Sequence, residues 1–543
     1  MSVMNRNDRE DACGGPVRRR SNAIRWWPAA VIVVGVILAV TIIRLRADLP
    51  FQSRNLGSLA AMVIGGAALW LWWLFLSRTG LRWRLLGAIG ALLAVGGALA
   101  LFRIRGVSGD LLPIFEPRWK SAARSRAPTV AVLPTAERTA AASRNPGPSR
   151  PDFPQFLGPD RNCVVEAPPL ARDWTTHPPQ VLWRQPIGPA WSGFAMVGDR
   201  AVTQEQRGEE ELVTAYEPLS GRKLWEHADP ARYATTIAGV GPRATPTVVG
   251  NRIYCLGATG RLNCLDLADG RRVWQRDLTA EATVAPPEWG FAGSPLVIGN
   301  QVIVSAGGND ERSLLAFDVA TGEPRWSAGS APASYSSPVL VTLADTAQIL
   351  MFNARRITAH HPETGAVLWE HPWGKGQPQV AIPVPVGPDE VVFSSGYGIG
   401  AERLKIRPTP DGKLNPEPIW ASKALKAKFA NFIAWQDCLF GLDDGILTCV
   451  DLADGRRRWK EGRYGHGQLL RVDDLIVLTA ERGDLVLLAP TPEAPNELAR
   501  FPVFDSKTWN PPALSGDLLL LRTDQQAVAL RLSLANQGAV GSD

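Results

Sequence analysis

Apolar and polar residues are arranged in two ways along this chain. Between residues 26 and 102 lie three uncharged apolar runs, Trp26 to Ile43, Leu56 to Ser77 and Leu85 to Phe102. Each is long enough to cross a bilayer core as a helix. From residue 151 onward the long runs are gone. Short apolar stretches of strand length alternate there with turns rich in Gly, Asp and Asn. Between the two regions, residues 106–150 are rich in Pro, Ala, Ser, Thr and Arg, as in Asn145-Pro146-Gly147-Pro148. No periodicity is sustained, and the stretch reads as a flexible linker.

One pattern recurs in the strand-rich region. Cys264-Leu265-Asp266-Leu267-Ala268-Asp269-Gly270-Arg271-Arg272-Val273-Trp274 matches Ala215 to Trp225, Ala316 to Trp326, Ala359 to Trp369 and Cys449 to Trp459. A small residue opens each copy, Gly221, Gly270, Gly322, Gly365 or Gly455 closes a turn, and Trp begins the outgoing strand. The position ten before Trp holds only Ala or Cys, which implies close approach there. Around one copy a full unit can be parsed: Pro246 to Val249 as inner strand, Arg252 to Gly257, Arg261 to Leu267, and an outer strand with Trp274. Four-stranded repeats with one Trp each predict an all-β, eight-bladed β-propeller over residues 151–535, preceded by three transmembrane α-helices. Trp225, Trp274, Trp326, Trp369, Trp420 and Trp459 mark six blades. Trp420 ends a divergent copy, and a copy without Trp runs from Leu469 to Phe504. The eighth blade would join Pro512 to Leu514, Leu518 to Arg522 and Ala527 to Leu532 to an N-terminal strand carrying Trp183. Seven blades result if the Trp-less copy is only a cap. A Trp at a fixed place in every blade is expected to wedge neighbouring sheets apart instead of stacking on ligands.

Charge changes the picture of the first 150 residues, which hold 21 Lys and Arg against 7 Asp and Glu. The remainder is mildly acidic, so the basic balance says nothing for nucleic-acid binding, and none is expected. Arg6, Arg9, Arg18, Arg19, Arg20 and Arg25 precede the first span, and Arg78, Arg82 and Arg84 separate the second from the third. Arg44, Arg46, Arg54, Arg103 and Arg105 lie on the other side. This bias places the N-terminus in the cytoplasm and residues after the third span outside. The expected organisation is a membrane region 1–105 with spans at about 26–43, 56–77 and 85–102, a linker 106–150, a propeller 151–535 and a disordered tail 536–543. Cys13 precedes the apolar run and is not placed for lipid attachment.

Cys255 with Cys264, and Cys438 with Cys449, lie on the two arms of the middle hairpins of their blades. They are read either as disulfide pairs, which an exported compartment permits, or as small buried hydrophobes. No Cys or His spacing suggests a metal site, and the adjacent His360 and His361 point to opposite faces of a strand.

Ala316-Phe317-Asp318-Val319-Ala320-Thr321-Gly322-Glu323-Pro324-Arg325-Trp326 resembles the pyrroloquinoline-quinone-type repeat, and the likeness extends over about residues 150–535. Phe153 to Pro159 and Ala333 to Pro338 look like segments of BamB-like proteins. The repeat is shared by quinoprotein dehydrogenases and by non-catalytic scaffolds, so it implies the fold and two functions. The first is an extracytoplasmic scaffold in the bacterial inner membrane, its propeller in the periplasm, holding protein or polymer partners with no cofactor. The second is a membrane-bound dehydrogenase that oxidises sugars or alcohols with pyrroloquinoline quinone and calcium. The adjacent-cysteine pair of the alcohol dehydrogenases of that family is missing, and no catalytic set is assigned. Channel-mouth candidates are Trp289, Tyr335, Tyr397, Glu481 and Asn510, together with Trp191, Trp509, Arg355 and Lys428.

Overall fold

The computed structural model describes residues 24–46, 49, 51–119, 150–235 and 237–535. The arginines before Arg25, linker residues 120–149 and the tail 536–543 lie outside the described residues. The chain forms two compact units.

The first unit holds α1 (Trp27–Leu45), α2 (Phe51–Phe75) and α3 (Leu81–Leu101), all three long and apolar enough to cross a membrane. Small residues set their spacing: a Cβ on Gly65 would lie 2.2 Å from Val36 Cγ2. Two indoles satisfy carbonyls at the ends of the helices, Trp72 Nε1 donating to Arg25 O at 3.1 Å and Trp73 Nε1 to Arg84 O at 3.2 Å.

The second unit contains eight antiparallel sheets of four consecutive strand positions among the described residues. Numbered in chain order, sheets 1 to 8 have the inner strands Ala195–Val197, Thr247–Val249, Leu296–Ile298, Val339–Leu343, Val384–Pro385, Ile433–Trp435, Gln468–Val472 and Ala513–Ser515. Sheet 2 follows the parsed repeat, with strands at Thr247–Val249, Arg252–Leu256, Arg261–Asp266 and Arg272–Asp277. Sheet 8 takes its outer strand from the other end of the unit: Gln180–Pro186 pairs with Gln526–Arg531, and Trp183 faces Ala529. The Trp-less copy is a full sheet, with Ala499 opposite Leu487 where the other sheets have Trp.

The repeated residues now have their reasons. Ala215, Cys264, Ala316, Ala359 and Cys449 are the direct cross-strand partners of Trp225, Trp274, Trp326, Trp369 and Trp459, and each pair sits at a bulge. A larger side chain there would compete with the indole. The Asp two residues on caps the turn: Asp266, Asp318 and Asp451 each accept a backbone N–H two residues later, at 2.9, 2.9 and 2.8 Å. The repeat Gly is required twice over. Gly322 has φ +73°, and a Cβ on it would lie 2.6 Å from Trp274 Cδ2 of the preceding sheet. The indole therefore packs on the next sheet's turn, and Trp274 Nε1 donates to Val319 O of that turn at 3.0 Å. Trp225 to Leu267 O and Trp420 to Leu452 O repeat the bond.

Two expectations need correction. Cys255 cannot pair with Cys264, because its cross-strand partner is Asn263 while Cys264 faces Tyr254, which sends the two thiols to opposite faces. Cys438 and Cys449 share a face and their thiols hydrogen-bond, but both are free and buried. The linker also starts later than residue 106. Phe102–Val107 and Pro113–Pro117 form a hairpin, and residues 104–116 of it belong to the second unit.

Residues 153–165 run as a chord over the inner strands. Phe153 bridges Met196 of sheet 1, and Pro154 O accepts from Val248 of sheet 2 at 2.8 Å. The fully buried Arg161 donates to Ser294 O and Pro295 O ahead of sheet 3 at 2.9 and 2.8 Å. Val164–Val165 then adds in parallel to the inner strand of sheet 7.

Glu211 is buried between sheets 1 and 2, where it accepts from Ala258 N at 3.2 Å. Burial pushes its carboxyl up to about 7, with the nearby Asp229 adding to the shift. A carboxyl raised on folding contributes stability below its unfolded value and loses it as pH rises through the folded one. Glu211→Gln should therefore melt like the parent near pH 4 and be more stable at pH 8, on the order of 3 kcal/mol. Thermal melts of both chains at the two pH values check this.

Candidate functional site

An inner strand begins with backbone amides that sheet pairing leaves open, and burial makes each of them need a partner. Here the partner comes from the neighbouring sheet. Gly193 N donates to Thr245 Oγ1 at 3.0 Å, Thr245 N to Ser294 Oγ at 2.9 Å and Ser294 N to Ser337 Oγ at 2.9 Å. Ser336 Oγ donates to Ala381 O at 3.0 Å, and Ile382 N to Asn431 Oδ1 at 2.9 Å. Gln468 Nε2 reaches Phe429 O at 2.9 Å and Trp509 O at 3.0 Å. Asn510 Nδ2 donates to Ala190 O at 3.0 Å and Ser192 O at 2.8 Å, ahead of sheet 1.

This belt fixes what stands just before it. Trp191, Arg243, Ala292, Tyr335, Val380, Phe429 and Trp509 each lie four residues before the inner strand of their sheet, and sheet 7 contributes the strand's first residue, Gln468. These eight converge on one cavity of about 140 Å³, which Trp289, Ile237 and Phe156 of the chord also line. Its aromatic rings pack on one another. Trp289 stacks on Tyr335 with centroids 4.6 Å apart, and Trp509 lies 5.0 Å from both Trp191 and Phe429. Two ammonium groups cover the rings: Lys507 Nζ stands 3.8 Å from the Trp509 centroid, and Lys428 Nζ 5.0 Å from that of Phe429. Burial pulls the Lys428 amine down to about 8, against the raising effect of Asp110, Asp444 and Glu481.

The turn of the 102–117 hairpin sits on this site. Val107, Ser108 and Leu111 line the cavity. Gly109 N donates to Glu481 Oε1 at 2.7 Å, and Gly109 O accepts from Lys428 Nζ. Val107 O accepts from Lys507 Nζ at 3.1 Å. Asp110 meets His466 Nε2 at 3.1 Å and Arg463 at 3.6 Å. Burial acts to raise the Asp110 carboxyl, but the His466 hydrogen bond and the charges of His466, Lys428 and Arg463 outweigh it and hold it below its ordinary value.

Of the residues singled out from sequence, Trp191, Trp289, Tyr335 and Trp509 line the cavity. Tyr397 lies behind it, its ring 5.1 Å from Lys428 Nζ. Glu481 accepts from Gly109 N, from His466 N at 3.0 Å and from Trp509 Nε1 at 3.0 Å. Asn510 belongs to the belt. Arg355 is absent from the lining, and its carbonyl accepts from Trp373 N at 2.8 Å. Sequence reasoning missed Arg243, Phe429, His466 and Lys507. The register four places before each inner strand would have found the first two.

Several oxygen atoms at the mouth are already committed to hydrogen bonds. Glu481 already accepts three N–H groups, Asn431 Oδ1 is used in the belt, and no three His, Cys, Asp or Glu side chains among the described residues group as metal ligands. The aromatic rings would suit a flat molecule, and among the described residues Asn510 Oδ1 is buried without a partner.

The family model described as outer membrane protein assembly factor BamB matches residues 209–461. A europium-containing methanol dehydrogenase is similar in structure, with a TM-score of 0.52 at 12% identity, covering 71% of this chain and 91% of that one. Quinohemoprotein alcohol dehydrogenase from Comamonas testosteroni gives 0.51 at 12% identity, over 78% and 86%. BamB from Moraxella catarrhalis gives 0.48 at 16% identity, over 66% and 98%. At such identities the likeness is one of fold. No curated protein sequence matches.

A methyl group on Gly109 would lie 2.0 Å from His466 Cδ2. Gly109→Ala should unseat the turn while leaving the sheets folded. Chymotrypsin should then cut after Leu111 at least tenfold faster than in the parent, read by mass spectrometry of the fragments.

Proposed function

We propose that this pyrroloquinoline-quinone-like β-propeller protein is a membrane-anchored interaction scaffold that holds protein partners at the mouth of an eight-bladed ring. The reading of a ring is supported by the eight sheets, by the sheet shared between Gln180–Pro186 and Gln526–Arg531, and by the belt that runs from sheet 1 to sheet 8 and on to Ala190 and Ser192. One observation carries the functional reading. The charged groups at the mouth are met by peptide groups of a turn: Lys428 and Lys507 by carbonyls, Glu481 by an amide. A surface that satisfies itself with backbone atoms is suited to another protein's backbone. The matched family description, an assembly factor, agrees with such a role.

The competing dehydrogenase is separated from the scaffold by one assay. Purified full-length protein is mixed with pyrroloquinoline quinone and calcium, followed by calorimetry and by dye reduction with a panel of sugars and alcohols. The scaffold reading expects neither calcium-dependent tight binding nor turnover, and turnover would overturn it.

The anchor reading rests on three apolar helices. We place them in a bacterial cytoplasmic membrane with the propeller in the periplasm, because arginines cluster before the first helix and between the second and third. A reporter fused after Asp543 should be active only in the exported compartment, and a cytoplasmic signal would reverse the topology.

A further inference from the structure

We infer that the mouth is a receptor for a protein turn in which glycine is followed by an acidic residue and then an apolar one, and that Ser108–Leu111 occupies it as a built-in surrogate. The inference rests on the scaffold reading and names the partner's chemistry.

Each position of the turn is read by a separate feature. Glycine is required by space: its N–H and C=O are both bound, and a Cβ would run into the His466 ring at 2.0 Å. Gly109 does not have positive φ, so this is a demand for close approach and not for turn conformation. The acidic position is read by charge. Asp110 faces His466 at 3.1 Å and Arg463 at 3.6 Å, with Lys428 adding to the positive field. The apolar position is read by the aromatic cavity, which Leu111 helps to line.

The surrogate is built to be displaced. Leu111 sits at φ +57°, a left-handed conformation that strains a Leu residue. Among the described residues the buried Tyr397 hydroxyl has no hydrogen-bond partner, and its ring lies 5.1 Å from Lys428 Nζ. On the arms Ile104 is 56% and Phe115 64% exposed, while Glu116 is buried. Tethering is the surrogate's main advantage, and a partner of the same chemistry without the strain would compete with it.

The test uses full-length protein in detergent and a fluorescein-labelled cyclic peptide carrying Val-Ser-Gly-Asp-Leu-Leu, followed by anisotropy. Two chains free the mouth: Gly109→Ala, and a chain in which Ser108–Leu111 is replaced by Asn-Gly. Both should bind the peptide at least tenfold more tightly than the parent chain. Peptides with Ala for Gly, or Asn for Asp, should bind at least tenfold more weakly, and Lys507→Met in the Gly109→Ala background should lower affinity again. Near-ultraviolet circular dichroism establishes that each chain is folded. If folded chains with a free mouth do not bind the peptide, or bind the altered peptides equally well, the inference is overturned. Dehydrogenase turnover in the assay above would overturn the scaffold reading itself, whereas failed peptide binding without turnover removes the turn receptor alone.

Discussion

The structure depends on how the buried amides at the head of each inner strand are satisfied. A short strand of two to five residues cannot pair its own leading N–H, and an unpaired one costs about 1–3 kcal/mol. Thr245, Ser294, Ser337 and Asn431 solve this for their neighbours, each side chain accepting the amide of the preceding sheet. Where the chain lacks a hydroxyl, Gln468 donates to carbonyls on both sides and Asn510 to two carbonyls ahead of sheet 1. The consequence is rigidity in the residues immediately ahead of the belt, and those residues form the cavity.

Farther out, the sheets are held by a different device. The indole of one sheet fills the space above the turn of the next, and that turn must be Gly, since both its φ and the ring exclude a side chain. The arrangement also explains the small partner opposite each Trp. Both requirements act between positions about ten residues apart or on adjacent repeats, so the pattern recurs with little variation. Inside, the cavity residues obey no such rule. Trp191, Arg243, Ala292 and Val380 hold equivalent positions and differ in size and charge. The frame demands a residue there but not a particular one, which leaves the position open to function.

The two lysines at the mouth illustrate how burial and chemistry combine. Lys428 and Lys507 each donate to a carbonyl of the hairpin and lie over an aromatic ring. Cation–π contact and carbonyl bonding stabilise a charge without neutralising it, and Asp110 lies in the positive field of His466, Lys428 and Arg463.

How much of this could be read from the amino acids alone follows from distance along the chain. The repeat unit, its four strands, the wedge role of Trp274 and its equivalents, the three apolar helices and even the strand around Trp183 that completes sheet 8 were legible, because strand period, turn chemistry and unpaired ends are local signals. Four aromatic residues of the cavity were also anticipated, since loops entering inner strands face the mouth. Other features were not legible. Asn510 and Glu481 looked like free channel groups, yet their partners at Ala190, Ser192 and Gly109 are hundreds of residues away. Cys255 and Cys264 looked symmetric about a turn, but a one-residue difference in register put their thiols on opposite faces. The hairpin at 102–117 lay hidden in a stretch without periodicity, and its turn is held by Lys428, His466, Glu481 and Lys507, which no spacing in the sequence connects to it. Local sequence determined the repeating unit of this protein. Only tertiary structure decided what meets at its centre, because those contacts join segments that the chain itself keeps far apart.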